Sequence, residues 1–99
     1  GAEEETVKIH TEITFESGYT YEDIKKYINQ AVEKYFLEVR EKWEKNDNLV
    51  VRILQVERAI VDVTGVEDVA GTTLNGAAKY YTVGKNKLPV KGELTCTSK

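Results

Sequence analysis

The chain has 99 residues, of which 40% are hydrophobic and 31% charged, and 17 acidic against 14 basic side chains give a net charge of −3. This is the composition of one folded domain with a single core. The mild acidic balance disfavours nucleic acid and anionic membranes as partners. The single Cys96 precludes an internal disulfide, and no apolar run is long enough to span a bilayer, which favours an intracellular origin.

The first five residues are set apart from the expected fold. Gly1 and Ala2 look like the remnant of a cleaved expression tag, and the acidic residues 3–5 are expected to form a solvated lead-in. Residues 6–99 are expected to form a single α+β domain, the carboxy-terminal part of a larger protein.

Residues 6–16 predict a half-buried strand, because apolar and polar side chains alternate along them. The inward-facing set is Val7, Ile9, Thr11, Ile13 and Phe15. The alternation breaks at residues 17–18, and Thr20 with Asp23 three residues later matches a shortened capping box. A helix is therefore expected to begin at Tyr21.

Two helices are expected after this strand. The first has an apolar stripe at helical spacing, made of Ile24, Ile28, Ala31, Val32, Tyr35, Phe36, Val39 and Trp43. The polar residues 46–48 favour a turn, so this helix is expected to end near Lys45. Residues 49–63 are ambiguous, since their valines favour a strand although their apolar residues also fit a helical stripe. Gly65 as a terminating residue favours a second, shorter helix.

Short strands are expected in the last third of the chain, at residues 66–74, 79–83 and 91–97, with a turn at residues 75–76. Pro89 lacks an amide proton and is expected at a strand entrance or a sheet edge. The order of strand, long helix, shorter helix and two or three strands predicts a small, mostly antiparallel sheet with both helices on one face. An uncovered edge of such a sheet is a place where another chain can add a strand.

Four short segments of the second half occur in a recognisable order. They are VVRILQVE at residues 50–57, GVEDV at 65–69, LNG at 74–76 and LPVKG at 88–92. In this order and spacing the chain resembles the carboxy-terminal region of the phage baseplate protein J family, especially members encoded by contractile-tail prophages of Gram-positive bacteria. The resemblance extends from about Thr6 to the end of the chain.

The resemblance implies a structural, non-enzymatic domain of a tail baseplate component that contributes to assembly of the baseplate wedge. It carries no catalytic motif and no cofactor. The implied partners are other baseplate subunits, with copies of the same chain in the assembled ring as one option, and not nucleic acid, membrane or a small-molecule substrate. The implied location is the virion tail baseplate, assembled in the bacterial cytoplasm.

Side chains that carry chemistry are few and scattered, so no catalytic, metal-binding or cofactor-binding residue is expected. His10 and Cys96 are the single histidine and cysteine, too few for a zinc site. A nucleophilic pair between them stays open, because two terminal strands can meet. Glu67 and Asp68 offer paired carboxylates, but a solvated turn is the expected setting.

Tyr80 and Tyr81 are the candidate interface residues. Neighbouring side chains of a strand point to opposite faces, so one ring is expected in the core and the other at the surface. The exposed ring would anchor a protein contact, because tyrosine offers a large area with few rotatable bonds. The alternative is a nucleic-acid-binding α+β module in which both tyrosines stack on bases, which the acidic net charge disfavours.

Overall fold

A computed structural model describes residues 3–99. Gly1 and Ala2, the expected tag remnant, lie outside the described residues. The elements in chain order are β1 (Glu3–Phe15), α1 (Tyr21–Glu41), β2 (Val50–Val51), α2 (Ile53–Val61), β3 (Val66–Leu74), β4 (Tyr81–Thr82) and β5 (Lys87–Ser98). The α+β class and the order of a strand, a long helix, a shorter helix and further strands are confirmed.

The first strand is the centre of the main sheet. This sheet has three strands in the order β3-β1-β5, while β2 and β4 form a separate two-stranded antiparallel sheet. β1 pairs with β3 antiparallel and with β5 parallel, so the main sheet is mixed. The parallel pair, which places the first and last strands side by side, was not predicted from the sequence.

β1 begins earlier than its alternating pattern indicated. It starts at Glu3 instead of Thr6, because the acidic residues 3–5 pair with residues 87–89 of β5. Glu5 also links β1 to β4, since its carboxylate accepts a hydrogen bond from the Tyr81 hydroxyl. The expectation of a purely solvated acidic lead-in is therefore corrected.

The core lies between one face of the main sheet and both helices. α1 packs against β5, α2 packs against β3, and the helices also contact each other. The buried side chains include Val7, Ile9 and Ile13 of β1, Ile24, Ile28, Val32 and Phe36 of α1, and Val56 and Ile60 of α2. Each such side chain contributes roughly 1.5–3 kcal/mol on burial, so this shared core fixes the helices on the sheet.

Two threonines are buried in this core together. The hydroxyl oxygens of Thr11 and Thr72 are 2.8 Å apart, and the Thr72 hydroxyl donates to a carboxylate oxygen of Glu57 at 2.6 Å. A buried hydroxyl without a partner would be costly, so this chain of hydrogen bonds explains why polar side chains are tolerated there. It also links α2 to β3 and β1.

α1 begins at the residue that the sequence predicts. The amide of Asp23 donates to the Thr20 hydroxyl at 3.4 Å, and the amide of Thr20 donates to the Asp23 carboxylate at 2.9 Å. These reciprocal bonds form the expected capping box and satisfy two amides that helix geometry leaves free. The helix begins at Tyr21.

The end of α1 is earlier than predicted, at Glu41 instead of near Lys45. The amide of Lys42 donates to the carbonyl of Val39 at 3.1 Å, three residues back. A bond of that span tightens the last turn and directs the chain out of the helix. The polar residues 46–48 therefore lie in a longer connection than expected.

The second helix is shorter than the predicted span of residues 49–63. It covers Ile53–Val61, and the preceding pair Val50–Val51 forms β2. β2 pairs with β4, thirty residues further along the chain. The valines therefore follow their strand preference because a distant partner strand is available.

The last strands match the prediction in position but not in length. β3 covers the predicted residues, and the turn at residues 75–76 has the positive φ angles of a tight hairpin turn. β4 is shorter than the predicted 79–83, and β5 is longer than the predicted 91–97. β5 contains Pro89 and is an edge strand, as expected.

Candidate functional site

The described part of the chain offers no metal centre and no membrane span. No group of three or more His, Cys, Asp or Glu side chains among residues 3–99 is placed to hold a metal ion. None of the helices within those residues is long and apolar enough to cross a membrane.

His10 and Cys96 lie on adjacent strands but face opposite sides of the sheet. Cys96 pairs with the buried Thr11 and packs against the core. His10 lies on the open face, where its Nδ1 is 2.6 Å from the Thr95 hydroxyl and its Nε2 is 3.1 Å from the Thr97 hydroxyl. Burial raises the pKa of the Cys96 thiol, opposite to what a nucleophile needs. The pair that the sequence left open is not formed.

Glu67 and Asp68 lie in β3 and not in a turn. Both side chains are exposed, and they follow Val66 at a register irregularity opposite residues 14–15. Both carboxylates therefore face solvent. Their contribution is to make this edge of the sheet acidic.

Tyr80 and Tyr81 face opposite directions, as the alternation predicts. Tyr81 packs against the core, and its hydroxyl donates to the Glu5 carboxylate at 2.5 Å. That hydrogen bond, together with burial, raises the pKa of Tyr81. Tyr80 is 56% exposed, and the guanidinium carbon of Arg52 lies 5.9 Å from its ring centroid. The two rings do not form a shared stacking surface for bases.

β3 forms one edge of the main sheet, and backbone bonds show which of its residues face outward. The amide of Asn75 donates to Lys8 O, so the even-numbered residues of β1 direct their backbone groups towards β3. The backbone amides and carbonyls of their partners, Asp68 and Ala70, therefore point towards β1. Val69, between them, directs its amide and carbonyl away from the sheet. Among residues 3–99, the outer side of β3 has one bridge, between Leu74 and Ala77.

Apolar side chains of α2 lie beside this free edge. Leu54 is 64% exposed and Val61 is 40% exposed, although both are large hydrophobic residues. They line a shallow groove between α2 and β3, together with Glu57, Arg58, Asp68 and Val69. The open backbone of β3 and this apolar surface therefore form one continuous feature, which we call the β3 edge.

The opposite edge, at β5, is capped over its first half. Arg40 of α1 donates from Nη1 to the carbonyl of Pro89 at 3.0 Å, and the Lys91 ammonium donates to the carbonyl of Gly92 at 3.2 Å. Pro89 has no amide proton to offer. The α1 surface beside this edge is largely polar, although Leu37 is 50% exposed.

The sequence prediction missed the β3 edge. It singled out the tyrosines and the buried stripe of the second helix, which excluded Leu54 and Val61. These two residues are seven apart, so they lie on one side of a helix, away from the buried stripe. A second apolar stripe on a short helix was the available signal.

The comparisons with known proteins agree with this structural picture. A search of curated proteins finds none that matches the chain. The family described as Baseplate J-like protein C-terminal domain matches residues 7–97, from the start of the buried part of β1 to the penultimate residue of β5. The resemblance drawn from the sequence is confirmed. The chain belongs to the family of Baseplate J-like protein C-terminal domains and is a structural protein of the phage tail baseplate.

Proposed function

We propose that this domain is a protein-interaction module of a baseplate component and contributes to assembly of the baseplate wedge. The observation that carries the proposal is the family match over residues 7–97, which spans most of the folded part of the chain. The partners are other baseplate subunits, including copies of the same protein in the assembled ring. The domain acts in the virion tail, after assembly in the bacterial cytoplasm.

The mechanism is presentation of a rigid surface. The two helices and the sheet share one core, so contact residues are held in place before a partner arrives. A preorganised surface loses less conformational entropy on binding than a flexible one. A wedge built from many such contacts benefits from this property, because preorganised contacts act together.

Tyr80 is the contact residue that we propose at the loop end of the domain. Its ring is 56% exposed, and it lies beside Arg52. Arginine is enriched in protein interfaces relative to the rest of the surface. Tyr81 supports this contact indirectly, because its bond to Glu5 fixes the segment that carries Tyr80. Aromatic rings held in this way are typical of residues that dominate binding energy.

A substitution in the phage that encodes the domain tests the proposal. Tyr80→Ala is expected to lower the yield of contractile tails, because loss of an interface aromatic typically costs more than about 1 kcal/mol, or roughly fivefold in affinity, at each contact. Tyr27→Ala is the matched control, since Tyr27 is 55% exposed on α1. Equal yields from both variants would remove Tyr80 from the interface.

Deletion of residues 6–99 tests the function as a whole. We expect baseplates to stop at an incomplete stage, seen by electron microscopy of lysates, while expression of the remaining protein is checked by immunoblotting. Normal contractile particles from the deletion phage would contradict the assembly role.

A further inference from the structure

We propose that the β3 edge receives an extended strand from another baseplate protein, in which apolar residues alternate with basic ones. This inference rests on the proposed assembly function and names one of its contacts. It combines three observations: free backbone groups, an adjacent apolar surface and local charge.

The backbone of β3 offers a place for strand addition. The amide and carbonyl of Val69 point outward, and β3 pairs regularly with β1 over residues 68–70, between the irregularity after Val66 and the bulge at Gly71, where φ is 64°. An added strand would satisfy these groups with main-chain hydrogen bonds. Such bonds supply affinity that does not depend on the partner's side chains.

The exposed surface of α2 explains why the partner's residues should alternate. Side chains of an added strand point in turn to the two faces of the sheet, and those on the helix face would meet Leu54 and Val61. These residues are seven positions apart on α2, which is roughly 10 Å along the axis. That distance matches the span of two or three inward side chains of a strand, at roughly 6.6 Å for each second residue.

The charge at the β3 edge defines the remaining residues of the partner. Glu57 and Asp68 line the groove and Glu67 precedes Asp68 in β3, whereas Arg58 is the basic residue that lines it. Lysine or arginine at the outward positions of the added strand would complement this charge. An acidic strand would be repelled.

The β5 edge is a poorer acceptor for the same segment. Its carbonyl at Pro89 is already bonded to Arg40, and the side chains of α1 beside it are mostly polar. The proposal therefore predicts a preference for β3 over β5.

A designed peptide serves as the probe. It has eight residues that alternate lysine and valine, with both ends blocked, and it is titrated into ¹⁵N-labelled domain while the amide spectrum is recorded. We expect shifts in the amides of residues 66–70 and of α2, with the β5 amides unchanged. Shifts confined to β5, or no shifts at all, would overturn the proposal.

Two further peptides separate strand pairing from simple charge attraction. A peptide with the same composition but paired residues, lysine-lysine-valine-valine, should bind at least about fivefold more weakly, because it cannot present one apolar face. A peptide N-methylated at alternate residues on the pairing side should lose binding, since it lacks the main-chain donors. Equal binding of all three peptides would contradict strand addition.

Variants of the domain test the apolar surface. Leu54→Ser is expected to weaken peptide binding by about tenfold, as roughly 1.5 kcal/mol of apolar contact is lost. Leu37→Ser is the control, because Leu37 is a similarly exposed leucine beside the other edge. Equal weakening by both variants would refute a site at β3.

Other outcomes separate this inference from the assembly function. Concentration-dependent self-association that Leu54→Ser abolishes would make a second copy the occupant of the edge, and would overturn a basic partner strand. If phage carrying Leu54→Ser assemble normally while phage carrying Tyr80→Ala do not, the proposal of strand addition at the β3 edge is wrong, but the assembly role stands. If deletion of the domain leaves assembly intact, the function itself fails.

Discussion

The two edges of the main sheet differ in how their free backbone groups are treated. At β5, Arg40 bonds to the carbonyl of Pro89, and the proline itself has no donor. At β3, the backbone of Val69 faces outward beside exposed apolar residues of α2. The difference lies in the flanking helices, because α1 presents long charged side chains to its edge and α2 presents aliphatic ones.

This contrast is informative because an unpaired edge is a liability that proteins usually block. Proline and inward-reaching charged side chains are common blocking devices, and β5 uses both. An edge left open in the same domain, with an apolar surface beside it, indicates a place where pairing is useful. The following changes test how far the two edges really differ.

The largest effect on stability is expected for buried side chains of the two edge strands, because both strands contribute to the same core. Leu74 of β3 and Leu94 of β5 both pair with Ile9 from opposite sides and are both buried. Replacing either leucine with alanine should lower the free energy of unfolding by about 2–5 kcal/mol, through lost burial and a cavity. Urea denaturation measures this, and a cost below about 1 kcal/mol at one site would show that its strand is loosely packed.

Removal of the cap at β5 should have a smaller effect on stability. Arg40→Met removes the hydrogen bond to Pro89 and the ion pair with Glu33 at 3.2 Å. We expect a loss of about 1 kcal/mol, since Arg40 is partly exposed and solvent screens the pair. Arg58→Met on α2 is the control and should stay within about 0.5 kcal/mol.

The same variant tests the blocking role of Arg40 directly. Sedimentation velocity over a range of concentrations should show more self-association of Arg40→Met than of Arg58→Met, because the β5 edge has become available. Unchanged association would mean that Pro89 alone is a sufficient block.

The hydrogen bond between Tyr81 and Glu5 is expected to contribute slightly less to stability than Arg40 does. Its contribution should also depend on pH. Tyr81→Phe removes the bond to Glu5, which should cost about 0.5–1 kcal/mol near neutral pH. The pKa of Tyr81 is raised above 10.0 in the folded state, so this stability is present below 10.0 and is lost as pH rises through the folded value. Urea denaturation at several pH values should show that the free energies of unfolding of the original protein and of Tyr81→Phe converge at high pH. A difference that stays constant with pH would contradict this account.

The smallest effect is expected at the start of α1, the helix that covers β5. Hydrogen bonds from Thr20 lower the pKa of Asp23 below 3.8 in the folded state. The capping contribution is therefore present above 3.8 and is lost as pH falls through the folded value. Asp23→Asn should reduce the urea midpoint near pH 7 and match the original protein at about pH 2, where both side chains are neutral. A difference that persists at low pH would point to a cause other than charge.

Local signals made much of the fold predictable. The alternation along β1 and the capping box at Thr20 and Asp23 are determined by residues close together in the chain, and both predictions are confirmed. Distant pairing was not predictable in the same way. β2 forms because β4 lies beside it, and residues 3–5 become strand because residues 87–89 pair with them. No local pattern in the sequence encodes these partners.

The candidate site was predictable only in part. Tyr80 is exposed and Tyr81 packs against the core, as predicted, although only Tyr81 lies in β4. The role of the two tyrosines in an interface stays a prediction. The β3 edge could not be located, because a free edge is defined by the strand order β3-β1-β5 and not by composition. Exposure of Leu54 likewise depends on which side of α2 meets the sheet.

The parallel pairing of β1 with β5 has a consequence for how the domain is made. Val7 and Lys91 are neighbours in the sheet but lie near opposite ends of the domain, so the central strand acquires its second partner only after almost all of the domain has been synthesised. Contacts between such distant residues slow folding, because a long loop must close first. The sheet can therefore be completed only after β5 has been synthesised, and a chain interrupted before β5 would leave one edge of the central strand β1 without its partner.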